Sequence, residues 1–198
     1  ALQQSFLLNR FSLLMIDQKQ ILSNLGFQSL TPMQEAMYQA GASRGGVVLL
    51  SPTGSGKTLA YLLPLVAQVD ATVDSLQAVV VVPTRELAQQ SEEVLRRMKT
   101  GLRAMALYGG RPAMQEHRVI RELKPQIVFA TPGRLNDHLD KDNLNAYGVR
   151  VLVIDEFDKC LELGFQEEMN RIVTRVKQAQ YSWLMSATDA EEIPAFMN

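Results

Sequence analysis

The chain has 198 residues, of which 46% are hydrophobic, a size that suits one well-packed domain and leaves little room for two. Its longest apolar runs are far shorter than the roughly 18 residues of a membrane helix, and its N-terminus lacks a basic leader, so we expect neither a membrane protein nor a secreted one. A single cysteine, Cys160, excludes an internal disulfide and a cysteine-rich metal site. These features favour a cytoplasmic protein, and we expect a monomer.

In chain order, short apolar runs alternate with stretches that have helical spacing: VVLL at 47, AVVVV at 78, QIVFA at 126, RVLVI at 150 and YSWLM at 181. Continuous apolar strands separated by helices are typical of a parallel sheet that is covered on both faces. The sequence therefore predicts an α/β fold. We expect a short helical extension over residues 1–44, followed by one domain over residues 45–198.

The first strand runs into SPTGSGKT, from Ser51 to Thr58, and a helical stretch follows. Gly56, Lys57 and Thr58 match the end of the common phosphate-loop pattern, although Ser51 replaces its first glycine. Gly54 and Gly56 would let the backbone N–H groups point at phosphate oxygens, while Lys57 adds a positive charge and the Thr58 hydroxyl can ligate Mg²⁺. The alternative is a glycine-rich turn that caps a helix.

A later strand, VLVI, leads directly into Asp155, Glu156, Phe157 and Asp158. Burying an unpaired carboxylate is costly, so these charges need a cation, hydrogen-bond donors or water. Asp155 is the candidate for a contact to phosphate-bound Mg²⁺, directly or through water, and Glu156 for accepting a proton from an attacking water. Asp158 also fits a solvated helix start.

The net charge of −1 argues against an obligate nucleic-acid binder, but the charges are unevenly distributed. Residues 85–134 contain ten Lys or Arg against five Glu, a local charge of +5, whereas the remainder of the chain carries −6. Such a basic stretch is usually a solvated face, so it indicates nucleic-acid binding only if binding motifs lie inside it.

Taken together, the motifs resemble the first RecA-like lobe of the DEAD-box RNA helicases over nearly the whole chain. They occur in the family's order: GFQSLTPMQ at Gly26, SPTGSGKT at Ser51, PTRELA at Pro83, the pair Gly109 and Gly110, TPGR at Thr131, DEFD at Asp155, and SAT at Ser186. The resemblance implies a RecA-like sheet between helices that binds ATP or ADP with Mg²⁺. It also implies a second lobe in the full-length protein, with arginines that complete hydrolysis.

The resemblance assigns residues to the nucleotide. Gln34 would read adenine, because a carboxamide donates and accepts in one plane. Phe11 or Phe6, between which the spacing does not decide, would stack on the base. Lys57, Asp155 and Glu156 would act in catalysis, and Thr58 and Asp155 would hold Mg²⁺. The cofactor-binding set is Phe11, Phe27, Gln34, Thr53, Gly54, Ser55, Gly56, Lys57 and Thr58.

The resemblance also assigns segments within the basic stretch to RNA, whose sugar-phosphate backbone they would hold without reading bases. Singly, TPGR also fits a helix start and the glycine pair a turn. The RNA-binding set is Pro83, Thr84, Arg85, Gly109, Gly110, Thr131, Pro132, Gly133 and Arg134.

In this family the SAT motif bonds to the last carboxylate of the acidic motif, so Ser186 and Thr188 are expected to contact Asp158 and to couple the two lobes. Phe157 stands where the family has Ala. We expect its ring to pack between the sheet and a covering helix, with no chemical part in hydrolysis. His117 and His138 match no motif and are expected to be surface or helix residues.

The resemblance predicts an ATP-dependent RNA helicase that locally unwinds or remodels RNA. One alternative is a nucleotide-switched module that clamps RNA or a protein without unwinding. Another is a DNA translocase with a similar lobe, which the GFQSLTPMQ motif disfavours.

Overall fold

The computed structural model describes residues 18–188 and contains one six-stranded sheet in which all the paired strands run parallel. The strand order is β1-β6-β5-β2-β4-β3. The strands are Gly45–Leu50 (β1), Ala78–Val81 (β2), Ala104–Leu107 (β3), Ile127–Ala130 (β4), Val151–Ile154 (β5) and Tyr181–Ser186 (β6).

Helices occupy both faces of the sheet, and none within residues 18–188 is long and apolar enough to cross a bilayer. A short 3₁₀ turn, Ala146–Gly148, precedes β5. The helices are residues 18–25 (α1), Pro32–Ala40 (α2), Lys57–Ala67 (α3), Arg85–Met98 (α4), Ala113–Leu123 (α5), Pro132–Asp140 (α6), Phe157–Glu162 (α7) and Gln166–Arg175 (α8).

The predicted α/β architecture is confirmed, and all five predicted strands are present. Sequence analysis missed β3, whose residues AMAL lack the β-branched side chains that mark the other strands. It also predicted strands buried on both faces, whereas β1 lies at the sheet edge and exposes Val48 and Leu50. Edge position, which depends on long-range pairing, explains the difference.

Two hydrophobic clusters fill the space between the sheet and its helices. Because successive side chains of a strand point to opposite faces, Val80 packs in one cluster while Val79 and Val81 pack in the other. Trp183 belongs to the first cluster and Leu184 to the second. Burial of the central strands on both faces makes the sheet a rigid base for the loops at its ends.

The free edge of β3 is closed by two side chains. The Glu92 carboxylate accepts a hydrogen bond from the Ala106 backbone N–H at 3.1 Å, and Arg111 Nη2 donates to the Ala106 carbonyl at 3.2 Å. Occupying the groups of an edge strand in this way protects it from pairing with another chain.

Both histidines lie on helices, as expected. His117 lies on α5 and is half-buried, whereas His138 on α6 is completely buried. The expectation of a surface or helix residue therefore holds for both, and His138 meets it by its helix alone. Its ring is taken out of solvent because it bonds to the buried carboxylate of Glu116.

The strand register brings the carboxyl ends of the central strands to one level. Val81 of β2 pairs with Ala130 of β4 and with Ile154 of β5, and Ile154 pairs in turn with Leu184 of β6. The residues that follow these strands therefore emerge together at the carboxyl end of the sheet, which is where ligands of open α/β sheets bind.

Candidate functional site

The phosphate-loop candidate connects β1 to α3. Gly54 and Gly56 adopt φ angles of 79° and 91°, which residues with side chains rarely adopt, so both glycines are needed for the curl. Lys57 begins α3 and is buried, and its Nζ donates to the Ser51 carbonyl at 2.7 Å. The Ser51 and Ser55 hydroxyls are 2.6 Å apart. The lysine therefore closes the loop on itself, and Ser51 is accommodated within it in place of the usual glycine.

Gln34 connects α2 to this loop. Thr31 caps α2, with its hydroxyl accepting from the Gln34 N–H and its own N–H donating to Gln34 Oε1 at 2.9 Å. Gln34 Nε2 donates to the Gly56 carbonyl at 3.2 Å, and a Cβ atom at Gly56 would lie 2.6 Å from that nitrogen. The predicted adenine-reading residue thus lies directly against the loop.

Of the predicted aromatic partners of the nucleotide, Phe27 is 54% exposed beyond α1. Phe6 and Phe11 lie outside the described residues. The choice between them stays open.

Asp155 is the buried carboxylate of the site, with 2% of its surface exposed. Burial raises its pKa from 3.8 to about 6; the charge of Glu156 also raises the pKa, while the Glu156 backbone N–H, the Lys57 charge and the Tyr61 hydroxyl lower it. The Glu156 N–H donates to Asp155 Oδ1 at 2.9 Å. The charged form thus lacks full compensation, so a cation beside it would be stabilising.

Thr58 and Asp155 are the predicted Mg²⁺ ligands. The pKa of the buried Tyr61 hydroxyl is raised by burial and by Asp155 and is lowered by Thr58, so both side chains lie near that hydroxyl. In the part of the chain that the structure describes, no three His, Cys, Asp or Glu side chains form a metal site by themselves. A hydroxyl and one carboxylate fit a Mg²⁺ ion that takes its remaining ligands from water and phosphate.

The backbone conformation of Glu156 directs the carboxylates of Asp155, Glu156 and Asp158 to different surroundings. Its backbone is left-handed, with φ 47° and ψ 52°, and turns the chain from β5 into α7 within two residues. Asp155 therefore points inward and Glu156 stays half-exposed. Asp158 accepts a hydrogen bond from the Thr188 hydroxyl at 3.2 Å, and the Ser186 hydroxyl donates to the Thr188 carbonyl at 2.7 Å. The predicted contact between the acidic motif and SAT is thus made by Thr188, whereas Ser186 bonds to Thr188 and not to Asp158.

Phe157 packs as predicted. The side chain is 3% exposed and belongs to the second hydrophobic cluster, with Ile154 and Cys160. The extra volume relative to Ala is therefore accommodated between the sheet and its helices.

The candidate RNA segments also lie at the carboxyl end of the sheet. Thr84 caps α4 by accepting from the Leu87 N–H at 3.2 Å. Arg85 is exposed, and a Cβ atom at Gly110 would lie 3.6 Å from its Nη1. The start of α4 and the loop after β3 are therefore neighbours, although 25 residues of sequence separate Arg85 from Gly110.

Gly109 and Gly133 have no evident role in the fold. Neither has a left-handed backbone, and a Cβ atom at either would meet nothing within 4 Å. Glycine lowers stability where its freedom is not used. Glycines on open surface with ordinary backbone angles fit a site where an outside molecule approaches the backbone closely.

Three of the predicted RNA-binding residues are largely buried. Pro83 and Pro132 are buried, so their rings pack against protein. Only 15% of the Arg134 side chain is exposed, because Nη1 contacts Glu116 Oε1 at 2.7 Å and Nη2 donates to the Arg111 carbonyl at 3.1 Å. Arg134 is bound within the protein. Thr131, by contrast, precedes α6 at its start and its side chain makes no capping bond.

Sequence reasoning missed Tyr61, Arg111 and Glu116. Tyr61 was hidden in the apolar spacing of α3. Arg111 and Glu116 lie in the basic stretch. Glu116 contacts Arg134, which is 18 residues away in the sequence, and no local sequence pattern predicts such a contact. The nearest signal was a lone Glu in the first turn of a helix.

This fold and edge define a RecA-like lobe of the helicase type. A DEAD box protein from Methanococcus jannaschii superposes with a TM-score of 0.79 at 29% identity, over 86% of this chain and 47% of that one. A hypothetical ATP-dependent RNA helicase from Sulfolobus tokodaii superposes with a TM-score of 0.76, also at 29% identity, over 91% of this chain and 52% of that one. Residues 31–196 match the DEAD/DEAH box helicase family, and the chain belongs to that family.

Curated relatives agree with this assignment. The ATP-dependent RNA helicase CshA of Listeria monocytogenes is 34% identical over 94% of this chain and 36% of its own length. The ATP-dependent RNA helicase DbpA of Escherichia coli is 37% identical over 88% of this chain and 38% of its own length. The chain thus spans little more than a third of the curated relatives it matches.

Proposed function

We propose that this chain is the ATP-binding lobe of an RNA-dependent ATPase that locally unwinds or remodels RNA. The proposal is carried by one observation: the phosphate loop and the buried Asp155 carboxylate meet at the carboxyl end of the sheet, where Gly109, Gly110 and Gly133 are also exposed. The names of the relatives, which are ATP-dependent RNA helicases, support it.

The nucleotide site follows from the loop. Bound phosphate would replace the Ser51 carbonyl as the partner of Lys57, and the N–H groups at the start of α3 would face the same oxygens. Mg²⁺ would add positive charge between phosphate and Asp155, with Thr58 as its second protein ligand. Gln34, already against the loop, would present its carboxamide to adenine, while Thr53, Gly54 and Ser55 would line the phosphates.

Glu156 is the residue that would orient the attacking water. It is half-exposed, directly follows the proposed metal ligand Asp155, and has a left-handed backbone. Transition-state arginines are worth roughly 10³ to 10⁵ in rate in related reactions, and the resemblance places them on a second lobe. We therefore expect residues 1–198 alone to hydrolyse ATP very slowly.

RNA would lie across the start of α4, the glycine pair and the start of α6. Contacts from backbone groups, Thr84, Thr131 and Arg85 would hold phosphates with little preference for sequence. The Asp158–Thr188 hydrogen bond joins the segment that follows the catalytic carboxylates to the end of β6. It is the proposed route by which the state of the nucleotide would reach a second lobe.

Titration of a labelled oligouridine at low and moderate salt tests the RNA part. We expect weak affinity that falls steeply with salt, because phosphate contacts release counterions. Arg85→Ala should weaken binding, whereas Arg118→Ala, which removes an even more exposed arginine paired with Glu122 on α5, should change it less. Salt-insensitive binding, or equal effects of the two variants, would contradict the proposed surface.

A further inference from the structure

One buried carboxylate, that of Glu116, contacts both segments that flank the proposed RNA path. Only 3% of Glu116 is exposed. Its Oε1 accepts from Arg134 Nη1 at 2.7 Å, and its Oε2 accepts from the Tyr108 backbone N–H at 3.2 Å. Arg111 Nη2 lies 3.5 Å from Oε2. The carboxylate therefore joins the first turn of α6 to the loop that carries Gly109 and Gly110.

His138 completes the set of partners. Its Nε2 lies 3.0 Å from Glu116 Oε1, and the Asn143 amide nitrogen lies 3.0 Å from its Nδ1. With the amide nitrogen donating to Nδ1, the ring proton sits on Nε2 and is donated to the carboxylate. Burial tends to raise the pKa of Glu116, but bonds from His138 and Tyr108 and the Arg134 charge outweigh it, so the pKa is lowered. Glu116 is therefore charged.

Arg134 is engaged on two sides. Its second terminal nitrogen donates to the Arg111 carbonyl at 3.1 Å, so the guanidinium spans from α6 to the residue after Gly110. A guanidinium held in two directions by protein has little left to offer a phosphate. Arg111 is also held, since its Nη2 donates to the Ala106 carbonyl and its guanidinium stacks on the Tyr108 ring at 4.1 Å, but 44% of its side chain is exposed against 15% for Arg134.

We propose that Glu116 is a positioning residue for RNA binding: through Arg134 it holds the glycine loop and the start of α6 in one arrangement, and Arg111 supplies the exposed charge. The inference rests on the proposed RNA-binding function. It reassigns Arg134 from phosphate ligand to internal clamp and adds Arg111 to the RNA-binding residues.

Electrostatics and positioning predict opposite signs for the loss of the Glu116 charge. Removing a negative charge near an RNA site strengthens binding if the charge acts only through its field. Removing a clamp weakens binding, because the two segments no longer present their backbones together. A conservative substitution that keeps the shape of the side chain separates these effects.

The experiment compares Glu116→Gln with Glu92→Gln in residues 1–198, using labelled oligouridine at constant low salt. Glu92 is the matched control, because it is also a carboxylate shielded from solvent beside β3. It is half-buried and bonds to the Ala106 N–H, not to α6. We expect Glu116→Gln to weaken binding about tenfold or more, the loss typical of one specific contact. Glu92→Gln should bind as the parent does or more tightly.

Arg134→Lys and Arg134→Ala provide a second arm. Lysine keeps the charge but cannot bond in two directions as the planar guanidinium does. An internal clamp predicts that lysine fails to rescue, so both variants should lose RNA affinity to a similar extent. A phosphate ligand predicts that lysine retains most of it. Binding of ADP to each variant reports that the lobe is folded.

Parental or tighter RNA affinity in Glu116→Gln with ADP binding intact would overturn the inference and leave the RNA-binding function standing. Rescue by Arg134→Lys would overturn it as well. If Glu116→Gln loses ADP binding because it no longer folds, the comparison of Arg134→Lys with Arg134→Ala tests the inference instead. Failure of the parent to bind oligouridine while binding ADP would instead overturn the RNA-binding function, and the inference with it.

Discussion

The buried polar groups at the two ends of the parallel sheet differ in charge and in how fully they are hydrogen-bonded. At the amino end, Gln77 and Gln126 are buried neutral amides with several partners each. Gln126 Nε2 donates to the carbonyls of Asp70, Ala71 and Val73, and its Oε1 accepts from the Arg103 N–H. Gln77 bonds to the same loop through both atoms of its amide.

At the carboxyl end, the buried groups are charged and only partly compensated. Asp155 has a raised pKa, Lys57 bonds to a loop carbonyl, and Glu156 holds a left-handed backbone. The amino end thus contributes to stability, while the carboxyl end costs stability and keeps groups ready for a ligand. The sheet tolerates the cost at its carboxyl end, because its central strands are buried on both faces and stabilise the fold.

Phe157→Ala tests whether every residue at the carboxyl end serves the ligand. Since the ring is buried in the second cluster, its removal should leave a cavity and lower the free energy of unfolding by about 3 to 5 kcal/mol. The affinity for ADP should change little in the folded fraction. Thermal melts with and without ADP measure both quantities. A variant that melts like the parent but fails to bind ADP would place Phe157 in the site.

Gln126→Ala tests the amino end. It removes donors from three carbonyls and an acceptor from one N–H, so we expect a loss of about 3 kcal/mol in the free energy of unfolding. ADP affinity should be preserved, because the proposed nucleotide site lies at the other end. Urea unfolding measures the loss, and Gln180→Ala, an exposed glutamine before β6, is the control. Equal stability of the two variants would refute the role given to this network.

Asp155→Asn should stabilise the lobe in a pH-dependent way. The folded-state pKa of about 6 exceeds the ordinary 3.8, so the folded chain holds this proton more tightly. Ionisation therefore lowers stability as the pH rises from about 4 through about 6, and the cost is complete above that range. At pH 8 without nucleotide or Mg²⁺, the variant should be more stable by up to about 3 kcal/mol. The difference should vanish near pH 4.

Urea unfolding at several pH values measures this difference, with the exposed Glu167→Gln as control. A variant that is less stable than the parent at pH 8 would show that the Asp155 charge is compensated in the folded state.

Glu156 gives the smallest effect. Glycine adopts the left-handed backbone freely, whereas alanine does not, so Glu156→Gly should be more stable than Glu156→Ala by about 1 kcal/mol. At Asn170, an exposed residue within α8, the order should reverse, since alanine is favoured over glycine in helices. Chemical denaturation of the four variants checks both signs. Alanine favoured at both positions would remove the strain argument.

The sequence predicted those parts of the molecule in which local chemistry decides. The apolar strands, the phosphate loop, the divergent carboxylates and the orientation of Phe157 all follow from neighbouring residues. The β3 strand was missed, because its stability derives from pairing with β4 and from Glu92 and Arg111 at its edge. The contact between Arg134 and Glu116 was missed for the same reason, since it forms only in the folded chain.

The central claim is that the carboxyl end of the sheet is an adenine-nucleotide site. The most direct test is calorimetric titration of residues 1–198 with ADP and with GDP in the presence of Mg²⁺. We expect ADP to bind much more tightly than GDP, and Gln34→Ala to reduce the ratio of the two affinities, while Gln39→Ala, exposed on the same helix, preserves it. Comparable affinities of the parent for ADP and GDP, or an unchanged ratio in Gln34→Ala, would contradict the account.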